Sequence, residues 1–130
     1  MTPPKRIHHI NFLVRDMEAA IRLYEESMGL PPFVTIDHDI RGSRIARSKI
    51  GDTWFVLICP YDDDSVPGRH LKEHGEGFFL LSLGVNDLEE HLRQLEQEDR
   101  GAIRRGILDW RIADAGSHFG VNLQFTEDSA

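Results

Sequence analysis

A single cysteine, Cys59, stands in the 130 residues. One thiol can neither close an internal disulfide nor furnish a zinc ribbon, and such scarcity suits a reducing compartment. Long apolar runs are missing too, none approaching the ~20 residues of a membrane-crossing helix. Excess positive charge is also lacking. With 15 Lys and Arg against 22 Asp and Glu, the formal charge is −7, which argues against a general nucleic-acid binder. The basic pair Lys5-Arg6 is followed by no apolar stretch of the signal-peptide kind. There is no serine nucleophile elbow, phosphate-cradling P-loop or dinucleotide fingerprint. What remains is ordinary for a globular chain, 40% hydrophobic and 28% charged. The expectation is one soluble cytoplasmic domain over residues 1–130, with no membrane and no nucleic acid among its partners.

The opening residues alternate as a strand does. Ile10, Phe12 and Val14 take one face, and His9, Asn11 and Leu13 the other. Asp16 is suited to cap a helix N-terminus, since its carboxylate can accept from free backbone N–H groups. Met17, Ala20, Ile21, Tyr24 and Met28 follow at helical spacing, and Gly29 with Pro31-Pro32 stops the helix. The pattern then changes to strands at Phe33–Asp37, Ser43–Ile50 and Thr53–Cys59, the last ended by Pro60. Residues 7–60 therefore read as a first βαβββ unit. Residues 61–76 read as a connection, with a solvated Asp62-Asp63-Asp64 turn, a Pro67-Gly68 breaker and one short helical turn over Arg69–His74.

Residues 77–126 repeat the pattern. Shifted by 71 residues, Ile10, Phe12 and Val14 fall on Leu81, Leu83 and Val85; Asp16 falls on Asp87, Met17 on Leu88, Ile21 on Leu92 and Tyr24 on Leu95. Strands at Ala102–Leu108, Trp110–Ala113 and Val121–Phe125 complete a second βαβββ unit. Tandem copies of one supersecondary unit imply an α+β fold. In it, two curved half-barrel sheets carry their helices outside and enclose a central cavity. The strand faces turned away from the helices would line that cavity with His9, Asn11, Trp54, Val56, Leu80, Ser82, Asn122 and Gln124.

The segment Ile7-His-His-Ile-Asn-Phe-Leu-Val-Arg-Asp-Met-Glu-Ala-Ala-Ile-Arg-Leu-Tyr-Glu-Glu-Ser-Met-Gly-Leu30 resembles the first strand and helix of the vicinal oxygen chelate superfamily. That group holds glyoxalases, bleomycin-resistance proteins, extradiol dioxygenases and methylmalonyl-CoA epimerases. His70-Leu-Lys-Glu-His-Gly-Glu-Gly77 is similar to the epimerase-like branch, and the resemblance extends over residues 6–126. It implies a divalent metal held by side chains from the first and last strand of each unit. Carried over position by position, those sites fall on His9, Val56, Leu80 and Gln124. Two are aliphatic, and Gln124 stands where glutamate is usual. A catalytic metal centre needs about three protein ligands, and hard cations want carboxylates. The expectation is therefore a degenerate metal site with no cofactor, His9 and Gln124 being the residual ligand candidates, in a protein that holds a small, partly apolar molecule. The alternatives are a metal-dependent lyase, epimerase or dioxygenase using His9 and Gln124, and a non-catalytic structural or regulatory dimer. The resemblance also implies a homodimer.

Other side chains have two readings each. His8 has the opposite parity to His9 and should pack near a helix or the surface. Trp54 could stack on a flat ligand or pack in the core, and Trp110 lies near a strand boundary. Cys59 reads as a buried, inert thiol. His70 and His74, at i, i+4, could ligate a metal but read as surface histidines. Arg44 with Arg47, and Arg104 with Arg105, could recognise an anion or simply be wet strand faces.

Overall fold

The computed structural model describes residues 1–38, 42–98, 103–107 and 110–128. The chain forms two compact units, one of Ile10–Phe79 and one of Met1–His9 with Leu80–Ala130. Both are α+β. Their elements run β1 (Arg6–Leu13), α1 (Met17–Arg22), β2 (Val34–His38), β3 (Ser43–Ile50), β4 (Thr53–Pro60), α2 (Val66–His74), β5 (Gly77–Val85), α3 (Leu88–Gln97), β6 (Ile103–Ile107), β7 (Trp110–His118) and β8 (Val121–Glu127). The β1-α1-β2-β3-β4 and β5-α3-β6-β7-β8 runs reproduce the two βαβββ patterns.

Within Ile10–Phe79 the strand order is β2-β3-β4-β1. β3 pairs antiparallel with β4, setting Ala46 opposite Leu57 and Arg47 opposite Val56. Ala46 and Leu57 pack with Met17 of α1, and Phe12, Val14, Ile21, Tyr24 and Phe55 close around them. Asp16 caps α1 by accepting from Ala19 N at 3.0 Å. After Arg22 the helix widens into one π turn over Leu23–Ser27, so the single helix expected to reach Met28 has two parts. Gly29, at φ +75°, ends it.

Pro60 ends β4 as expected, as its last residue, paired with Ser43 at the end of the ladder, a terminal position that proline tolerates. One expectation in this unit needs correction. The Pro67-Gly68 pair does not break the chain but lies in the first turn of α2, which spans nine residues where one turn was expected. Proline costs nothing there because the first N–H groups of a helix have no helical partner. Ser65 Oγ caps the helix by accepting from Gly68 N at 3.1 Å, and a solvated turn precedes it, with Asp62 Oδ1 accepting from Asp64 N at 2.9 Å.

In the second unit the order is β5-β8-β7-β6, with the start of β1 beside β5. Val85, Leu88, Leu92 and Ala113 form its core, and Phe125 packs on them. Asp87 caps α3 as Asp16 caps α1. The N-terminal residues are tied to this unit: Lys5 N donates to Gly84 O at 2.9 Å, and the Thr2 carbonyl meets His91 Nε2 at 3.0 Å. Arg6 bonds Asp128 through its Nε, and the missing Cβ at Gly84 leaves room for that pair, since a β-carbon there would sit 2.9 Å from Asp128 Oδ2. β7 extends to His118, further than the expected Ala113, and its hairpin to β8 turns through Phe119 and Gly120 at φ +52° and +82°. Ala102 and Leu108, expected at the ends of β6, lie outside the described residues.

Two outcomes follow from this packing. An alanine β-carbon at Gly68 would lie 2.2 Å from the Asp62 carbonyl oxygen, so Gly68→Ala should destabilise the protein by about 1–3 kcal/mol in urea unfolding. The Arg6 guanidinium holds the Asp128 carboxyl below the usual carboxylate range. A depressed folded value stabilises above about pH 4 and is lost as the pH falls through it. Arg6→Met should therefore cost about 1.5–3 kcal/mol at pH 7, and the gap to the wild type should narrow when unfolding is repeated at decreasing pH below 4.

Candidate functional site

Each unit has one sheet face covered by its helix and one face free of helix. The strand registers assign the side chains to them. In the Ile10–Phe79 unit, Ala46 and Leu57 lie under α1, so the alternate positions Arg47, Lys49, Trp54 and Val56 lie on the opposite face. Val56 is buried. The expected stacking surface of Trp54 is already engaged, with the Arg47 guanidinium 4.9 Å and the Lys49 ammonium 5.4 Å from the ring centre. Such cation–π contacts contribute about 0.5–1 kcal/mol each at exposed sites. Asn11 shares this unit, and its Oδ1 is buried without a hydrogen-bond partner among the described residues. Arg44 lies on the helix side and bonds Asp37 Oδ1 at 2.8 Å, an ion pair on a wet strand face.

In the other unit, Val85, Ala113 and Phe125 lie under α3. The registers Ser82↔Gln124, Asp114↔Gln124 and Ile112↔Thr126 set the remaining face. It carries Leu80, Ser82, Asn122, Gln124, Thr126, Ile112 and Asp114. Ser82 and Gln124 are 0% and 4% exposed, whereas Asp114 and Asn122 are half-buried. Ser82 Oγ and Thr126 Oγ1 satisfy one another at 2.6 Å. Gln124 Nε2 donates to Asp114 Oδ1 at 3.0 Å. Gln124 Oε1 is buried and finds no hydrogen-bond partner among the described residues. Of the amides and hydroxyl expected to greet a ligand here, Ser82 is thus spent on an internal bond, and Gln124 is half spent.

His9, 3% exposed, stacks on Trp110 with ring centres 4.7 Å apart and planes 19° from parallel. His8 is a correction. It is not at the surface, but 4% exposed and edge-on to the same indole at 4.8 Å. Its Nδ1 meets His9 Nδ1 at 2.8 Å. Such a contact requires one ring to carry a proton on Nδ1 and the other to accept there. Strict strand alternation would separate neighbouring side chains; the shared proton and the indole bring these two together. Trp110, unplaced by the sequence, opens β7 beside them. The one local signal was an aromatic at the head of a strand.

Outside these faces the candidates thin out. Cys59 is half-buried, not fully buried, because it sits in the last turn-facing positions of β4. Its thiol is 3.4 Å from the Arg15 carbonyl oxygen, and burial pushes its pKa up, away from the thiolate a nucleophile needs. His70 is more than a surface histidine. Its ring packs on Phe79 at 4.9 Å and on His74 at 4.6 Å, and burial, then the neighbouring His74, lowers its pKa. The side chains of Arg104 and Arg105 lie outside the described residues.

Of the four expected metal positions, Val56 and Leu80 offer no donor atom, while His9 and Gln124 offer one imidazole and one amide. The Asp114 carboxylate beside Gln124 accepts that residue's N–H. A catalytic divalent cation usually takes about three protein ligands.

Comparison with known proteins agrees with the sequence resemblance. Three solved structures share the fold over nearly the whole chain. A Streptomyces coelicolor methylmalonyl-CoA epimerase variant in complex with 2-nitronate-propionyl-CoA is 25% identical, with a TM-score of 0.87 over 98% of this chain and 97% of that one. A methylmalonyl-CoA epimerase in complex with methylmalonyl-CoA and NH4+ has the same identity, TM-score and coverage. The Mycobacterium tuberculosis methylmalonyl-CoA epimerase is 25% identical, with a TM-score of 0.83 over 95% of this chain and 88% of that one. No curated protein sequence gives a significant match. Among the described residues no helix is long and apolar enough to cross a membrane. The profile of one family matches residues 6–122, and the chain belongs to it: the Glyoxalase/Bleomycin resistance protein/Dioxygenase superfamily.

Proposed function

We propose that this superfamily member is a metal-independent binding protein. It takes a small, partly apolar molecule on the helix-free face that carries His9, Leu80, Asn122 and Gln124. The reading is supported above all by the donor set: at the superfamily's four ligand positions stand one imidazole, one amide and two aliphatic side chains. A drug-sequestering protein of the bleomycin-resistance kind is one form of this function. The epimerase neighbours, bound to acyl-CoA compounds, make an acyl thioester a second candidate ligand. In either form we take the protein to act as a cytoplasmic homodimer, a pairing that rests on the superfamily resemblance alone and a location that suits its single cysteine.

One observation favours a second reading. Asp114, which the sequence did not single out, brings a carboxylate to Gln124 at 3.0 Å. With His9 it would give a cation three donor residues of mixed charge, enough for metal-dependent lyase, isomerase or dioxygenase chemistry of the superfamily type.

Two measurements on untagged, full-length protein separate the readings. In a thermal-shift panel of small aromatics, antibiotics and acyl-CoA esters, at least one compound should stabilise the protein. At a hundredfold excess over Kd the gain is about 2.7 kcal/mol, or roughly 10 °C in Tm. Metal analysis should find Zn, Ni, Mn and Fe far below one equivalent. Stoichiometric metal that is lost in His9→Ala would overturn the first reading in favour of the second. Absence of any shift across the panel would leave only a non-catalytic dimer.

A further inference from the structure

α2 spans nine residues, too few to hold a helix together in water without tertiary contacts. One such contact is made by His70, whose ring stands edge-on to Phe79 of β5 with centres 4.9 Å apart. Phe79 is 8% exposed, and the imidazole is part of its cover. One turn further along α2, the ring of the exposed His74 lies 4.6 Å from that of His70. His70 Nδ1 is buried and has no hydrogen-bond partner among the described residues. A neutral imidazole can live with this, carrying its one proton on Nε2 and leaving Nδ1 bare. An imidazolium cannot, because both nitrogens then bear hydrogen. Its Nδ1–H would be a buried donor on a charged ring with nothing to accept it.

The surroundings offer little compensation. Burial opposes charge on His70 most strongly, the neighbouring His74 adds to it, and Glu73 favours the charged ring less than either. Glu73 also faces His74, its Oε2 3.8 Å from His74 Nε2. The strands next to the helix bring no anion, since neither β4 (Thr53–Pro60) nor β5 (Gly77–Val85) contains Asp or Glu. The acidic turn Asp62–Asp64 meets α2 at Gly68 and does not count among the charges felt by His70. We infer that α2 is an acid-sensitive clasp: docked on Phe79 while His70 is neutral, it loosens from the sheet when that ring takes up a proton from solvent. An undocked ring takes the proton at the ordinary histidine value of about 6.5, and the docked ring only at lower pH. The docking free energy is therefore complete above about pH 6.5 and falls as the pH drops below it. The inference concerns α2 alone and stands apart from the binding function proposed above.

Hydrogen–deuterium exchange of the full-length protein at pH 7.5 and 5.5, corrected for the intrinsic pH dependence of exchange, tests this. Opening of residues 66–74 should rise by about three- to tenfold on acidification; about tenfold is the ceiling for one histidine titrating near 6.5 over this interval. Exchange in α1 should stay level. His70→Leu should keep the helix docked and abolish the rise, and His70→Phe serves the same purpose if the leucine variant does not fold. His74→Gln should lessen the rise without removing it. Opening of residues 66–74 that is equal at the two pH values, or that rises as much in the His70 variants as in the wild type, would overturn the inference. So would a rise abolished by His74→Gln, which would make His74 the sensor, and so would an equal loss of protection in α1, which would mean global acid unfolding.

Discussion

The hydrogen bond from Gln124 to Asp114 joins β8 to β7 on the sheet face turned away from α3. It can form only because β7 and β8 are antiparallel neighbours in a register that sets those two residues opposite each other. A directly opposed pair lies about 4.5–5.5 Å apart at Cβ, close enough for an amide to reach a carboxylate. Once made, the bond assigns the nitrogen and oxygen of the amide without ambiguity and leaves a single buried acceptor. The same two strands, through Ala113 and Phe125 on their other face, hold α3 in place. Packing on one side of the sheet thus fixes polarity on the other.

Among the described residues, several polar groups of this unit settle with protein partners. His9 takes up His8 and Trp110, Gln124 takes Asp114, and Ser82 takes Thr126. Buried polar groups without a partner are costly; among the described residues Asn11 Oδ1, Ser43 Oγ and Gln124 Oε1 are oxygens in that state. Family likeness at the level of fold says nothing of this, since unrelated functions recur on shared scaffolds.

Much was legible from the sequence, for local reasons. Two caps at Asp16 and Asp87, two apolar stripes and two alternating strands are each specified by a few consecutive residues, and their repetition at one spacing identified the βαβββ units. The assignment of β5 and β8 side chains to the face opposite α3 was likewise a matter of parity. Harder features depended on position within an element. A Pro-Gly pair reads as a breaker, yet it is harmless in a capped first turn, and that distinction needs Ser65 to be seen accepting from Gly68. His8 was assigned by parity to the wrong surroundings, because the hydrogen bond to His9 and the edge contact with Trp110 outweigh alternation there.

The sequence by itself determined the superfamily and the helix–strand order, since each is written in residue types at fixed spacing. The tertiary structure alone decided which polar groups are already satisfied. Asp114 and Gln124 are ten residues apart in the chain, and Ser82 and Thr126 forty-four. No local pattern announces that either pair will meet. Strand register across a folded sheet brings them together, and that register is set by the burial of apolar side chains on the opposite face.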